Sequence, residues 1–429
     1  MRSRIALLVG FAALGGAPAV ASASPQAVLG FGSRAIGMGG TGIAAGEGAD
    51  VVYANPALLS AARATELTVG FLGASFDVRA DGPGFRGPID VAPLRATTLG
   101  AVVPLPFTGA LARRVALGLG FVTPTDVVVR ARILFPERAQ VPLADRVQSV
   151  AVQGGLGVDV GHGVRVGAGF AALAALEGSV VVRTDASGRV GTEVRDTLVA
   201  SYAPVFAASW ESRDGRHRVG SVVRGPLVGR FDVVIRAEDL GSITIPPLHI
   251  SGVAQYDPWQ VGLEVARAEG PYRVAIGLTY SHWQDYPGPA EATVRCDDAP
   301  EGTSECAAPV PAPPRFVGVV SPRLGVERAF ELEGGTSLKF RAGVAFEPSP
   351  APAQRGRANL FDMHRTVVAA GWGAKLGALP LALDGFFQAQ VLHARTHDKD
   401  PALGALEEGV VATRGLVLAA GLALTARLR

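Results

Sequence analysis

Near the C-terminus, one run of residues leaves this chain little choice of secondary structure. Leu416, Leu418, Ala420, Leu422, Leu424, Ala426 and Leu428 occupy every second position. Val417, Ala419, Gly421, Ala423, Thr425, Arg427 and Arg429 fill the places between them. A helix would spread those leucines around its circumference, whereas a strand sends them all to one face. An apolar face backed by a small-to-polar one is the pattern of a strand with lipid on one side and a lumen on the other.

The same period recurs along the chain. Tyr272, Val274, Ile276, Leu278 and Tyr280 alternate with Arg273, Ala275, Gly277, Thr279 and Ser281. Leu338, Phe340, Ala342, Val344 and Phe346 alternate with Lys339, Arg341, Gly343, Ala345 and Glu347. Val164, Val166, Ala168, Phe170, Ala172 and Ala174 face away from Arg165, Gly167, Gly169 and Ala171. Charges on the second face are tolerable only if that face is wet or paired. Several segments exceed the roughly 5–6 residues usual for a strand and reach the roughly 9–11 that cross a bilayer on a tilt. The fold class is therefore all-β, a transmembrane antiparallel barrel.

Connections alternate in length, as barrel turns and external loops do. Asp214-Gly215, Gly161-His162-Gly163 and Leu376 to Pro380 are short; 79–91, 286–314, 348–364 and 396–408 are long, polar and proline-rich. Pattern reading finds about fifteen strand segments, whereas single-chain bacterial barrels have an even number. The surplus falls between Phe231 and Trp283. There Asp257-Pro258 and Glu269-Gly270-Pro271 both look like turns, so one of them marks a bulge or an excursion out of the membrane.

Composition agrees. Charged residues make up 18% and mean hydropathy is +0.29, yet no long apolar run explains that positive value, so alternation must. Arg2, Arg4, the apolar run Ile5 to Leu14 and Ala21-Ser22-Ala23 form an export signal, with cleavage expected after Ala23. The chain then divides into a cleaved signal peptide at 1–23, a glycine-rich N-terminal segment at 24–62 and a barrel wall at 63–429. A net charge of +2 and no basic run with interleaved aromatics give no reason to expect a nucleic-acid partner.

The segment around Leu29 to Ser60 is too rich in glycine to build a core of its own and needs a cavity to sit in. Gly37, Gly39, Gly40 and Gly42 match the spacing of a dinucleotide loop. Such a site needs a strand before it and a helix after it, whereas here a signal peptide precedes the glycines and the segment leads into a barrel wall, so a plug whose backbone bends freely is the better reading. Asn55-Pro56-Ala57 is either a turn that starts the first strand or the seat of the plug. Cys296 and Cys306 lie in a Pro- and Asp-rich stretch, where an exported protein favours a disulfide over two free thiols. No CxxC zinc spacing occurs, and His393 and His397 enter a loop, so no metal is expected. No nucleophile elbow and no cluster of His, Ser and carboxylate is present, so neither enzyme activity nor a cofactor is expected. Arg165, Arg273, Arg341, Glu264, Glu347 and Asp384 either guide an anionic ligand or, the favoured reading, form ion pairs between wall and plug. Phe85, Leu134, Phe135 and Phe361 either line an outer groove or end strands at the lipid interface. Pro124 is a candidate wall kink, because proline removes a ladder donor.

Three stretches carry a family resemblance: GFGSRAIGMGGTGIAAGEGADVVYANPALLS; IPPLHISGVAQYDPWQVGLEV with GLTYSHWQDY; and LKFRAGVAFEPSPAPAQ with Met363-His364-Arg365 and VVAAGWGAKL. On these the chain resembles the FadL-type outer-membrane transporters, which take up long-chain fatty acids or aromatic hydrocarbons. The resemblance implies a fourteen-stranded barrel plugged by an N-terminal hatch in a bacterial outer membrane. A hydrophobic small molecule would enter among external loops and leave sideways through the wall. It also implies that Asn55, Pro56 and Ala57 seat the hatch, with Gly37, Gly39 and Gly40 giving it freedom to move. Outer-membrane lipid and the barrel-assembly machinery would be its partners. Hatch-bearing relatives that serve as docking platforms for secreted surface proteins supply the alternative. The resemblance identifies no ligand-binding residue.

Overall fold

The structure is a computed structural model. It describes residues 25–125, 139–141, 150–184, 190–238, 248–288, 290–291, 314–377, 379–403, 405 and 407–428. Its strands are β1 (Thr65–Gly82), β2 (Phe85–Pro88), β3 (Leu94–Pro104), β4 (Val115–Pro124), β5 (Ala151–Gly161) and β6 (Val164–Thr184). They continue with β7 (Val190–Glu211), β8 (His217–Arg224), β9 (Leu227–Glu238), β10 (Leu248–Asp257), β11 (Trp259–Glu269) and β12 (Tyr272–His282). The last are β13 (Ala290–Glu291), β14 (Val319–Glu331), β15 (Ser337–Glu347), β16 (Arg365–Lys375), β17 (Leu381–Lys399) and β18 (Gly409–Leu428).

Fourteen of these close a wall in the order β1-β3-β4-β5-β6-β7-β8-β11-β12-β14-β15-β16-β17-β18, every neighbour antiparallel. β18 returns to β1 from Thr65 opposite Leu428 up to Asp81 opposite Ala412, so no edge is left open. Side chains follow the alternation read from the sequence. Ile276 is 55% exposed while its neighbour Ala275 is fully buried, and Leu422 is 52% exposed while Val417 is fully buried. This is the inside-out arrangement of a barrel in lipid. No described helix is long and apolar enough to cross a membrane.

One rim carries the short turns at 162–163, 212–216, 270–271, 332–336 and 376–380, together with the start of β1 and the end of β18. The long connections lie at the other rim. The surplus of strand segments resolves here. Glu269-Gly270-Pro271 is an ordinary hairpin turn between β11 and β12, whereas β9 and β10 form a hairpin outside the wall order. β9 lies parallel to β6 along 231–238, above the point where β5 ends, and Asp257-Pro258 is the corner at which the chain rejoins the wall. Pro124 closes β4 opposite Ala96 of β3, while the ladder to β5 ends two residues earlier, at Val122 opposite Ala151.

Inside the wall lies the N-terminal segment: α1 (Pro25–Leu29), α2 (Ser33–Gly37), α3 (Val51–Ala54) and a 3₁₀ turn at Pro56–Ala61. Val28, Leu29, Phe31 and Ile36 pack with Leu72, Leu94, Phe386 and Val417 of the wall. Val51, Val52, Leu58 and Leu59 pack with Val102 and Ala116.

Candidate functional site

The plug is held by its backbone as much as by its side chains. Four successive N–H groups, from Gly42, Ile43, Ala44 and Ala45, donate to the Glu264 carboxylate of β11 at 2.8, 3.0, 2.9 and 3.0 Å. A run of amides converging on one anion is a strong, charge-assisted arrangement. It also satisfies donors that have no helix or sheet to enter.

Asn55 is fully buried and does two jobs. Its Nδ2 donates to Ile43 O within the plug at 2.6 Å and to Ala208 O of β7 at 3.2 Å, and its Oδ1 accepts from Ala57 N at 3.0 Å, capping the 3₁₀ turn. Pro56 and Ala57 then lie on a bare patch of wall. A Cβ on Gly155 would meet Pro56 at 2.9 Å, and one on Gly167 would meet Ala57 N at 2.3 Å. Gly37 and Gly39 lie equally close to β16 and β15. Added methyls there would come within 2.9 Å of Gly371 Cα and 2.8 Å of Val344 N. Gly40 rests against the Arg323 side chain. These six residues are thus all on the plug–wall contact. Cys296 and Cys306 lie outside the described residues.

An ion-pair network crosses the same contact. Arg34 of α2 binds Glu327 of β14 through Nε at 3.1 Å and Nη2 at 3.2 Å, and donates to Ala45 O at 2.7 Å. Arg341 binds Glu327 at 2.8 Å and Asp384 at 2.6 Å. Glu47 of the plug takes Arg273 at 2.5 Å and Lys339 at 3.1 Å. Two of the six lumenal charges picked out from the sequence, Arg273 and Glu264, therefore tie wall to plug directly, while Arg341 and Asp384 join wall strands to one another and reach the plug only through Glu327. Arg165 pairs with Glu211 at 2.8 Å near the short-turn rim. Glu347 bridges Arg323 and Arg365. Arg34 and Glu47, the plug's own contributions, were missed. A lone arginine and glutamate in a glycine-rich stretch was the available signal.

Above the plug, toward the long loops, is a cavity of about 110 Å³. Val28, Leu29 and Phe31 of the plug line it below, and Trp283 and Val367 line its wall. Arg224, Arg323, Arg365 and Glu347 add a polar side. Arg224 donates to Tyr53 O and Ala54 O at 2.5 and 3.1 Å and lies 4.5 Å from the Tyr53 ring centroid. Trp283 belongs to an aromatic box in which Tyr256–Trp283, Tyr256–Tyr286 and Tyr286–Phe316 centroids are 4.8, 4.7 and 4.5 Å apart.

The connection between β15 and β16 folds onto the loop-side ends of β1 and β18. Its Phe361 is fully buried, 5.4 Å from Phe85 and packed with Ala80 and Val411. Leu134 and Phe135 lie outside the described residues. His393 and His397 stand on β17, which runs on to Lys399, and so are strand residues where the sequence suggested a loop. His397 is fully buried; its Nδ1 accepts from Gln354 N at 3.0 Å and its Nε2 lies 3.0 Å from Thr413 Oγ1. Burial, together with the charges of Arg395 and Lys399, pushes its pKa down to about 4. Lys399 donates to Ala358 O at 2.5 Å in the same connection, and burial pushes its pKa down to about 8. Among the described residues no group of acids, histidines and cysteines is arranged to hold a metal.

A closed fourteen-stranded wall, apolar outside and filled by its own N-terminal segment, defines a plugged transmembrane β-barrel. Solved structures of this architecture include a FadL homologue of Pseudomonas aeruginosa, at 15% identity and a TM-score of 0.61 over 96% of this chain and 99% of that one. The toluene transporter TbuX of Ralstonia pickettii matches at 14% identity and 0.55, over 94% and 99%. The toluene transporter TodX of Pseudomonas putida matches at 13% and 0.56, again over 94% and 99%. The chain thus has the FadL-type fold. No family model and no curated protein matches it.

Proposed function

We propose that this protein is an outer-membrane channel for passive uptake of hydrophobic small molecules, gated by its N-terminal segment, with exit through the wall. The observation that carries this reading is that the N-terminal segment fills the lumen and lines the cavity within it through Val28, Leu29 and Phe31. Val28, Leu29 and Phe31 are both gate and binding surface, so a ligand that presses on them acts on the plug directly. Burial of an apolar chain is worth about 0.8 kcal/mol per methylene, enough to draw a hydrophobic solute from water into such a site. A cavity of about 150 Å³ accepts benzene; one of about 110 Å³ has to widen even for a single ring, by a shift of the plug or of the connections above it. The fold likeness to two toluene transporters supports the same class of solute. Asn55, Pro56 and Ala57 would be the fixed seat, and Gly37, Gly39 and Gly40 the points where the plug slides on the wall.

The docking-platform alternative is favoured by one observation: ion pairs fill the side of the lumen lined by β14–β17. Uptake of radiolabelled toluene, and separately oleate, by cells lacking their own carrier decides between them. Saturable uptake that changes when 30–60 are deleted is expected for a gated channel. A folded, inserted barrel that moves neither solute would leave the platform reading standing.

A further inference from the structure

On the outer face of the wall, near the short-turn rim, the strand registers β8–β11–β12–β14 place a row of unlike residues side by side. His217 is opposite Arg267, Arg267 opposite Val274, and Val274 opposite Val326. One level nearer the rim, Glu269 is opposite Tyr272 and Tyr272 opposite Arg328. One level further into the membrane, Val265 is opposite Ile276. Between them runs an open groove of about 560 Å³, its floor made by Val265, Val274 and Ile276 and its rimward end by His217, Arg267, Glu269 and Tyr272.

The charges here do not balance. Arg267 is paired with Glu269 at 2.6 Å. Arg328 has no carboxylate partner among the described residues. Its guanidinium lies between two rings, 5.1 Å from the Tyr272 centroid and 4.5 Å from that of Phe330. Ring faces hold a guanidinium in place but leave its N–H fork unused. An aromatic-braced arginine at the water–lipid boundary of an apolar groove has one abundant counter-ion within reach, a phosphate ester.

We propose that this groove is a binding site for a phospholipid of the adjoining leaflet, with an acyl chain along Val265, Val274 and Ile276 and its phosphate on Arg328. The proposal rests on the reading of the wall as membrane-spanning. Tyr272, which closes the groove and also stacks on Arg328, joins the two halves of the site.

The test is native mass spectrometry of the purified protein in non-ionic detergent with dioleoylphosphatidylglycerol. The unaltered protein is expected to retain the lipid. Arg328→Gln and the groove-filling Ile276→Trp should each lower retention several-fold, while Arg427→Gln on β18 leaves it unchanged. Dioleoylglycerol, with the same chains and no phosphate, should be retained poorly. Equal retention by all variants, or equal retention of both lipids, overturns the proposal, as does a dimer that both groove variants break. Heat-modifiable migration shows that each variant is folded. Flotation with vesicles separates the two levels of failure: a protein that does not float removes the membrane reading, whereas one that floats with unaltered lipid retention removes only the groove.

Discussion

Glu264 shows how much one residue holds. Its carboxylate is the shared acceptor of four plug amides and is itself buried. Hydrogen bonds to a charged group contribute about 1.5–3 kcal/mol each, and orphaned buried donors cost a comparable amount. Glu264→Ala should therefore loosen the plug by at least about 3 kcal/mol. Faster hydrogen exchange at residues 42–45 would register this, along with larger single-channel conductance; unchanged exchange there would remove Glu264 from the seat. Asn55→Ala removes the 3.2 Å bond to Ala208 and the cap on Ala57. Its expected cost is smaller, about 1–2 kcal/mol, with exchange rising at 56–59 and the wall unaffected. Sequence pattern placed Glu264 in the lumen but not on its four amides. Those donors are contributed by backbone some 220 residues away, which no local spacing encodes.

At the scale of elements, two contacts set the plug and its cover. Strand β15 presents Gly343 to the plug so closely that a Cβ there would come within 2.2 Å of Met38 C. Gly343→Val should displace α2 while leaving the outward face and the ladder intact. An ion leak in planar bilayers, with normal strand content by circular dichroism, is the expected result; a tight barrel would show that the plug yields elsewhere. The second contact clasps the connection between β15 and β16 onto β17 through His397 and Lys399. His397 has a folded pKa near 4 against 6.5 for the free side chain. Between those values the unfolded state binds more protons. The clasp is therefore complete above about pH 6.5 and is lost as pH falls through about 4, at most roughly 3 kcal/mol in all. Lys399 stays protonated across that window, since its pKa is near 8. Proteolysis within 350–358 should accelerate on acidification, and His397→Gln should flatten that dependence; an equally steep rise in the variant would place the acid response elsewhere. That β17 reaches Lys399 was not legible, because the HARTHDKD passage lacks apolar alternation outside the membrane.

For the whole molecule, the wall closes on itself through fourteen antiparallel seams, none of which uses plug backbone. Loss of 30–60 should thus leave a folded barrel, with heat-modifiable migration and β-rich circular dichroism but a lower melting temperature. Collapse of the variant would make the plug part of the folding core. The surplus strand segments were a real ambiguity. β9 and β10 carry enough β-branched and apolar residues to read as wall, yet β9 pairs with β6 beyond the point where β5 ends, and β10 pairs with β9 and β13. Only the registers of distant strands distinguish a hairpin outside the wall from two strands within it.

By itself, the sequence determined the class of fold, the in-or-out orientation of strands such as β12, β15 and β18, and the glycine-rich piece that fills the lumen. All of these follow from a side-chain period of two and from conformational freedom, which are local properties of the chain. Tertiary structure alone decided which charges meet, where the connection after β15 is held and how large a cavity remains. Those depend on side chains and backbone brought together across hundreds of residues by barrel closure, and on a balance of desolvation against pairing that has no signature in the order of the residues.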